Sequence, residues 1–184
     1  MDSLRIAVFV GSLRRDSFNR RLALALEKLA SDKAAFELIR IDDLPLYNQD
    51  FDGEYPAECR RLKEAIAKCD ALLFVTPEYN RSIPGVLKNA IDIASRPYGQ
   101  SALAGKPAAV CGASVGAIGT ALAQQHLRNI LAYLDCPTLG QPEVFIHFKN
   151  DLISPDGTIN NPDTETFLRR FVDRFIAWFA EHRR

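Results

Sequence analysis

Short apolar runs alternate with helical patterns along this chain, and that alternation constrains its fold more than any other feature. The runs cover residues 4–10, 36–41, 71–75 and 107–112, with a fifth at Val144-Phe145-Ile146-His147-Phe148. Such alternation predicts an α/β fold in which a parallel sheet is joined by crossover helices. The first helix is expected to start near Ser17, to carry Leu22, Leu26 and Leu29 at helical spacing, and to end near Ser31-Asp32. Pro56 and Pro84 suit the first turns of the next two. Cys59, Leu62, Ile66 and Cys69 then share one side of the second, and the third runs through Leu87, Ala90 and Ile93 to a stop before Pro97. A fourth helix should follow Gly119 and reach about Leu134 with Leu122, His126-Leu127 and Ile130-Leu131 on its apolar side. The last, from about Pro162 to Glu181, sets Phe167, Leu168, Phe171, Phe175, Trp178 and Phe179 on one broad face. Its polar side is mixed rather than lysine-rich, which favours core packing over a membrane surface. Asp151 to Asn161 reads as a surface loop.

Three loops following apolar runs hold the candidate chemistry. The first is Gly11-Ser12-Leu13-Arg14-Arg15-Asp16-Ser17-Phe18-Asn19. With one glycine it is neither the G-x-x-x-x-G-K-[ST] of a nucleoside-triphosphate loop nor the G-x-G-x-x-G of a dinucleotide fold. Hydroxyls, an arginine and helix N–H groups gathered at a strand-to-helix turn suit one terminal phosphate. An ordinary capped helix entry, with Asp16 or Ser17 as the cap, explains the same residues. In the second loop, Thr76-Pro77-Glu78-Tyr79-Asn80-Arg81-Ser82-Ile83-Pro84-Gly85, two prolines restrict the backbone around an aromatic face and an amide. That is the rigid wall a flavin ring requires, although a proline-bounded turn would read alike. The third, Gly112-Ala113-Ser114-Val115-Gly116-Ala117-Ile118-Gly119, lets a ligand approach the backbone closely. If the preceding runs are neighbouring parallel strands, all three loops open at the carboxyl edge of one sheet, where ligands bind in open α/β folds.

The remaining composition is restrictive. Lys plus Arg and Asp plus Glu balance at 23 each, so no net field attracts a nucleic acid or an anionic membrane. No apolar run approaches a membrane span, and the first residues lack the features of a signal peptide. The four cysteines, Cys59, Cys69, Cys111 and Cys136, are scattered. They read as buried or incidental thiols in a reducing cytoplasm rather than as a zinc site or disulfide framework. His126, His147 and His182 show no metal-ligand spacing. A chain of 184 residues is within the range of one domain, taken as 1–184.

The loops resemble the NADPH-dependent FMN reductase family, which includes quinone, chromate and azo-compound reductases, over nearly the whole chain. The most specific match is Pro77-Glu78-Tyr79-Asn80-Arg81-Ser82-Ile83-Pro84-Gly85-Val86-Leu87-Lys88-Asn89-Ala90-Ile91-Asp92, close to P-E-Y-N-x-S-x-P-G-x-L-K-N-A-x-D. Gly11, Ser12, Arg14, Ser17 and Asn19 match G-S-x-R-x-x-S-x-N. At Gly119-Thr120 the chain departs from relatives that carry two glycines. The resemblance implies a flavodoxin-like three-layer sandwich, a five-stranded parallel sheet of order 2-1-3-4-5 with helices on both faces. It implies bound FMN, with NADPH or NADH as donor and quinones or other acceptors (chromate, azo or nitro compounds, free flavin) reduced by ping-pong hydride transfer. By the same resemblance Gly11, Ser12, Arg14, Ser17, Phe18 and Asn19 form the FMN phosphate site. Pro77, Glu78, Tyr79 and Asn80 meet the ribityl chain and ring, and Ser114 and Gly116 complete the ring pocket.

No catalytic acid or base is demanded, because the cofactor carries the redox chemistry. Arg81 or Arg15 is a candidate for a phosphate of the nicotinamide cofactor, and the loop from Asp42 to Tyr55 for a wall of the substrate entrance. A homodimer or homotetramer is expected, with Arg128, Tyr133 and Glu143 as candidate contacts. A flavodoxin-type electron carrier is the alternative, but such carriers are usually strongly acidic and this chain is neutral. A phosphoacceptor domain lacks support, since Asp42 and Asp43 have no acidic partners at the other strand ends.

Overall fold

The structure, a computed structural model, describes residues 4–182. Five parallel strands form one sheet in the order β2-β1-β3-β4-β5: β1 (Leu4–Val10), β2 (Ala34–Leu38), β3 (Ala71–Val75), β4 (Ala108–Ser114) and β5 (Val144–His147). The helices are α1 (Phe18–Ala30), α2 (Ala57–Ala67), α3 (Gly85–Ser95), α4 (Ala121–Tyr133) and α5 (Pro162–His182). This is the flavodoxin-like order implied by the resemblance. Parallel pairing sets Ile6 opposite Ala71 and Phe9 opposite Phe74, while Leu73 faces Ala109. The central strands are apolar at nearly every position because helices cover both sides of the sheet.

The core accordingly divides into two layers. On one face Ile6, Val8 and Leu73 pack with Leu22 and Leu26 of α1 and with Leu168, Phe171 and Phe175 of α5. On the other, Phe9 and Phe74, stacked with ring centroids 4.8 Å apart, pack with Leu62 and Ile66 of α2, Leu87 and Ile91 of α3, and Leu127 and Leu131 of α4. The apolar face of α5 is thus spent on the sheet and α1. No helix among the described residues is long and apolar enough to cross a membrane.

Several sequence expectations need adjustment. The second run, read as 36–41, pairs as a strand only over Ala34–Leu38. Ile39 and Ile41 are buried past its end, where the chain turns over the α2 side, although the Ile39 N–H still donates to the Val8 carbonyl (2.9 Å). On α4 the buried set is Ala123, Gln124, Leu127 and Leu131, so Leu122 and His126 belong to the outward face. The segment 151–161 is more than a surface loop. Ile153 is fully buried and bridges to Ile159, and Gly157 lies against the backbone of α1. In the 42–55 segment, Leu46 is exposed while Tyr55 is buried and Tyr47 is tied through its N–H to Asn89 of α3 (2.8 Å).

All four cysteines are free and buried, and burial raises each thiol pKa, to about 11 at Cys69 and about 12 at Cys136. They are held as neutral thiols near pH 7. The folded protein should therefore react with a thiol-specific disulfide reagent far more slowly than the protein in urea. Phe171→Ala, which empties the α1–α5 layer, should cost about 3–5 kcal/mol in urea unfolding.

Candidate functional site

The chain leaves β1 toward β2 on one side and reaches β3 on the other, so the strand order reverses between β1 and β3. In open α/β sheets a crevice forms at the carboxyl ends of strands at such a point. Two backbone bonds draw the loops together there: Gly11 N–H to Val75 O (2.9 Å) and Thr76 N–H to Cys111 O (3.0 Å). A Cβ on Gly11 would lie 2.9 Å from Thr76 Oγ1 and 3.3 Å from Pro77 Cδ, so the first two loops are in close contact. Glycine is stricter still at position 112, where a Cβ would collide with the Thr76 carbonyl oxygen and Thr120 Oγ1.

In the first loop Ser17 is the N-cap of α1 and accepts from Arg20 N–H (3.3 Å). Phe18 stacks on Phe148 (4.1 Å between centroids), and the Arg14 guanidinium lies 5.2 Å above the Phe18 ring. An aromatic face thereby steers the cation expected to meet a phosphate. The backbone N–H groups of Ser12, Leu13, Arg15 and Asp16 have no acceptor among the described residues, and the start of α1 adds its own unpaired donors. Asn19 has a structural role. Its buried amide donates to Ala113 O and accepts from Ala113 N–H, both at 2.9 Å, which commits the side chain to joining α1 to β4. It is a strut under the loop, while its backbone N–H, in the first turn of α1, has no acceptor among the described residues.

The second loop turns through Asn80 and Arg81, both left-handed with φ of 51° and 65°, between Tyr79 and Ser82, whose N–H and carbonyl groups bond reciprocally at 2.9 and 3.0 Å. Two consecutive positive φ values define the tight turn that matches strand twist. Asparagine tolerates this region, whereas an arginine there is uncommon and costs conformational energy. The turn leaves Tyr79 half exposed, with the N–H groups of Glu78 and Asn80 unpaired among the described residues. The Glu78 carboxylate points elsewhere. Its Oε2 accepts from Leu122 and Ala123 N–H (3.0 and 3.1 Å), capping α4, and its Oε1 is 3.8 Å from Arg81. What Glu78 offers a ligand is backbone; its side chain fixes the turn to α4. His126 Nδ1, 2.9 Å from Ser82 Oγ, adds a second link.

The third loop presents small residues and exposed Val115 and Ile118 around Ser114, whose hydroxyl accepts from Gly116 N–H (3.1 Å). Gly119 is left-handed with φ of 67°. Thr120 is fully buried. Its hydroxyl accepts from Gln124 Nε2 (2.8 Å), so the side chain points into the protein and not into the pocket.

The structure thus brings Gly11, Ser12, Arg14, Ser17, Phe18, Pro77, Tyr79, Asn80, Ser114 and Gly116 to one sheet edge, with Asn19 and the Glu78 carboxylate supporting them. Loose backbone donors beside a stacked arginine suit a phosphate, and an exposed tyrosine beside a rigid turn suits a planar ring, which is the donor set FMN requires. Sequence reasoning did not anticipate the two supporting roles, because a cap and a strut depend on which helix ends lie nearby. Nor did it single out Arg20 and Arg40, which line a groove of about 540 Å³ beside the first loop. No group of three or more metal-binding side chains occurs among the described residues.

Comparison with known proteins places the chain among flavin-dependent reductases. Residues 4–151 match the family model described as NADPH-dependent FMN reductase. The chain is 54% identical over 181 residues to a 2-hydroxy-1,4-benzoquinone reductase from Burkholderia sp, covering 98% of this chain and 99% of that one. It is 49% identical to a quinone reductase from Pseudomonas putida over 97% and 96% of the two chains. Among solved structures, FerB from Paracoccus denitrificans, a flavoenzyme NAD(P)H:(acceptor) oxidoreductase, superposes with a TM-score of 0.94 at 46% identity, covering 98% of this chain and all of that one.

Two substitutions test the supports. Asn19→Ala strands the N–H and carbonyl of Ala113 and should cost about 2–4 kcal/mol in urea unfolding of the apoprotein. Glu78→Ala removes the cap of α4 and should cost about 1 kcal/mol in the same measurement.

Proposed function

The chain belongs to the NADPH-dependent FMN reductase family and is an FMN- and NAD(P)H-dependent oxidoreductase of the quinone reductase type; from that premise we propose that its acceptors are small quinones, reduced in a ping-pong cycle. The observation that carries the reading is the gathering of unpaired loop donors and the Phe18-stacked Arg14 beside the exposed Tyr79–Ser82 turn. FMN, when bound, supplies the redox step, taking up a hydride and passing reducing equivalents to an acceptor.

The protein's own residues bind and orient. Ser12, Arg14, Ser17 and the free N–H groups of the first loop would hold the phosphate through charge-assisted and helix-terminal bonds. The backbone of Pro77, Glu78 and Asn80, with the Tyr79 ring, would wall the isoalloxazine, and the Ser114–Gly116 segment would face its other side. Unpaired amides at Glu78, Asn80, Val115 and Ala117 point to a pocket that favours negative charge on the ring. Donor and acceptor occupy the same open face in turn, and its flatness suits a planar quinone. Chromate, azo and nitro compounds and free flavin are further acceptors that such an open site admits.

Exposed Tyr79, Val115, Ile118 and Leu122 cluster on elements around this face. Their apolar surface supports the proposal that a second copy covers them in a homodimer or homotetramer. Tyr133 is also exposed. Arg128 turns inward, its Nη1 donating to Leu139 O (2.6 Å), so less of it is available for such a contact.

The test begins with the visible spectrum of the reconstituted protein. Anaerobic NADPH or NADH should bleach the flavin band near roughly 450 nm, and a benzoquinone should restore it with parallel double-reciprocal plots in steady state. Bound flavin that both donors leave oxidised would instead indicate an electron carrier. Arg14→Ala should weaken FMN binding by about 1.5–3 kcal/mol in a fluorescence titration, with the fold intact by circular dichroism.

A further inference from the structure

We propose that Arg81 makes the acceptor site selective for quinones that carry an ionised group, above all a ring hydroxyl made acidic by the quinone itself. The inference rests on the quinone reductase reading and adds to it the charge of the acceptor and the residue that reads it.

The backbone supplies the first observation. Asn80 and Arg81 are the central residues of the Tyr79–Ser82 turn, with φ of 51° and 65°. A turn with both central φ values positive is most readily built from Asn-Gly, because glycine enters that region without steric cost. Asn80 fits this pattern and Arg81 does not. Holding a residue with a side chain there costs conformational energy, and such strain collects where a site uses the side chain.

A structural use accounts for little of that cost. The Arg81 side chain is 65% exposed, and its one partner among the described residues is Glu78 Oε1, at 3.8 Å. A loose, solvated pair of this kind contributes little to stability. Glu78 does not depend on it, since its Oε2 already accepts from the N–H groups of Leu122 and Ala123. Arg81 is also the one charged residue of the turn assigned to the wall of the ring, next to Asn80 and two positions from Tyr79. Its forked donors are therefore available to a ligand at that wall.

Acceptor chemistry supplies the match. A hydroxyl on a quinone ring is conjugated through a C=C bond to a ring carbonyl, as the hydroxyl of a carboxylic acid is to its own, so it is ionised near pH 7. The oxyanion lies beside a second carbonyl oxygen, and a guanidinium can meet the two together. Reduction then removes the attraction. The anion takes one hydride from the reduced flavin and two protons from solvent, giving a neutral trihydroxyarene. Its former acid is now an ordinary phenol, protonated up to about pH 10. Arg81 thus holds the substrate and not the product, a difference that favours release.

The test isolates the acceptor step. FMN-loaded enzyme is photoreduced without oxygen and mixed by stopped flow with 2-hydroxy-1,4-naphthoquinone, ionised at pH 7, or with 2-methyl-1,4-naphthoquinone, a neutral counterpart of similar size. Return of the flavin band gives a second-order rate constant for each. The ratio of the two, hydroxy over methyl, should fall by about tenfold in Arg81→Gln and Arg81→Gly and be largely kept in Arg81→Lys, as loss or retention of a charge-assisted contact implies. Comparing ratios between proteins cancels the differing reduction potentials of the quinones. Arg81→Gly should also raise the urea midpoint of the apoprotein by relieving the turn, whereas Arg81→Gln should not. An unchanged ratio, an effect confined to flavin reduction by NADPH, or a urea midpoint lowered by Arg81→Gly would overturn the proposal and leave the quinone reading standing. Reduced wild-type enzyme that neither quinone reoxidises would overturn that reading and the proposal with it.

Discussion

A single buried amide holds the site in register. Asn19 sits on the first turn of α1 and bonds both polar groups of Ala113 in β4, across the full width of β1 and β3. Strand pairing alone would align the sheet but leave the first loop free to pivot about Gly11. With α1 anchored to β4, the loop donors, the Arg14–Phe18 stack and the third loop share one frame. Because both partners are desolvated, the clamp is worth most when intact and costly to break, which suits a site that must be formed before its ligand arrives.

Legibility from the sequence followed the range of the interaction. Strands and helices were readable because their signals are local: apolar runs, prolines at helix starts, and Ser17 ahead of α1. The loops were readable as a set because three of them follow strands in the same manner. Failure began where geometry between distant segments decides. Glu78 lies within the most recognisable motif of the chain, yet its carboxylate serves α4, whose N-terminus is more than forty residues further along. On α4 itself Leu122 and His126 fit a helical stripe, but the contact face is rotated by the small Ala123 and by Gln124, which is buried because Thr120 and the Val144 carbonyl satisfy its amide nitrogen. The end of β2 was misplaced because Ile39 and Ile41 are as apolar as strand residues while serving a turn.

The charge distribution illustrates why totals mislead. Equal numbers of acids and bases predict no long-range attraction for polyanions, and exposed ion pairs such as Lys33–Asp173 and Lys88–Asp92 balance part of the charge locally. Balance breaks in the region around the first loop, where arginines outnumber acids. Screening in salt erases distant fields but leaves such short-range imbalance effective inside a groove. Selectivity for small anions and indifference to large ones are therefore compatible in one surface.

The two outer strands are short, five residues in β2 and four in β5. A free strand edge is an invitation to another chain, and length is what makes the invitation effective. β2 carries Glu37 in an ion pair with Arg5 of the neighbouring strand (2.5 Å), which places a charged side chain on the very edge an incoming strand would have to desolvate. The sheet is consequently poor at recruiting further strands, and a protein that must keep a rim of unsatisfied amides open for a small ligand is spared the commonest route by which exposed backbone leads to aggregation.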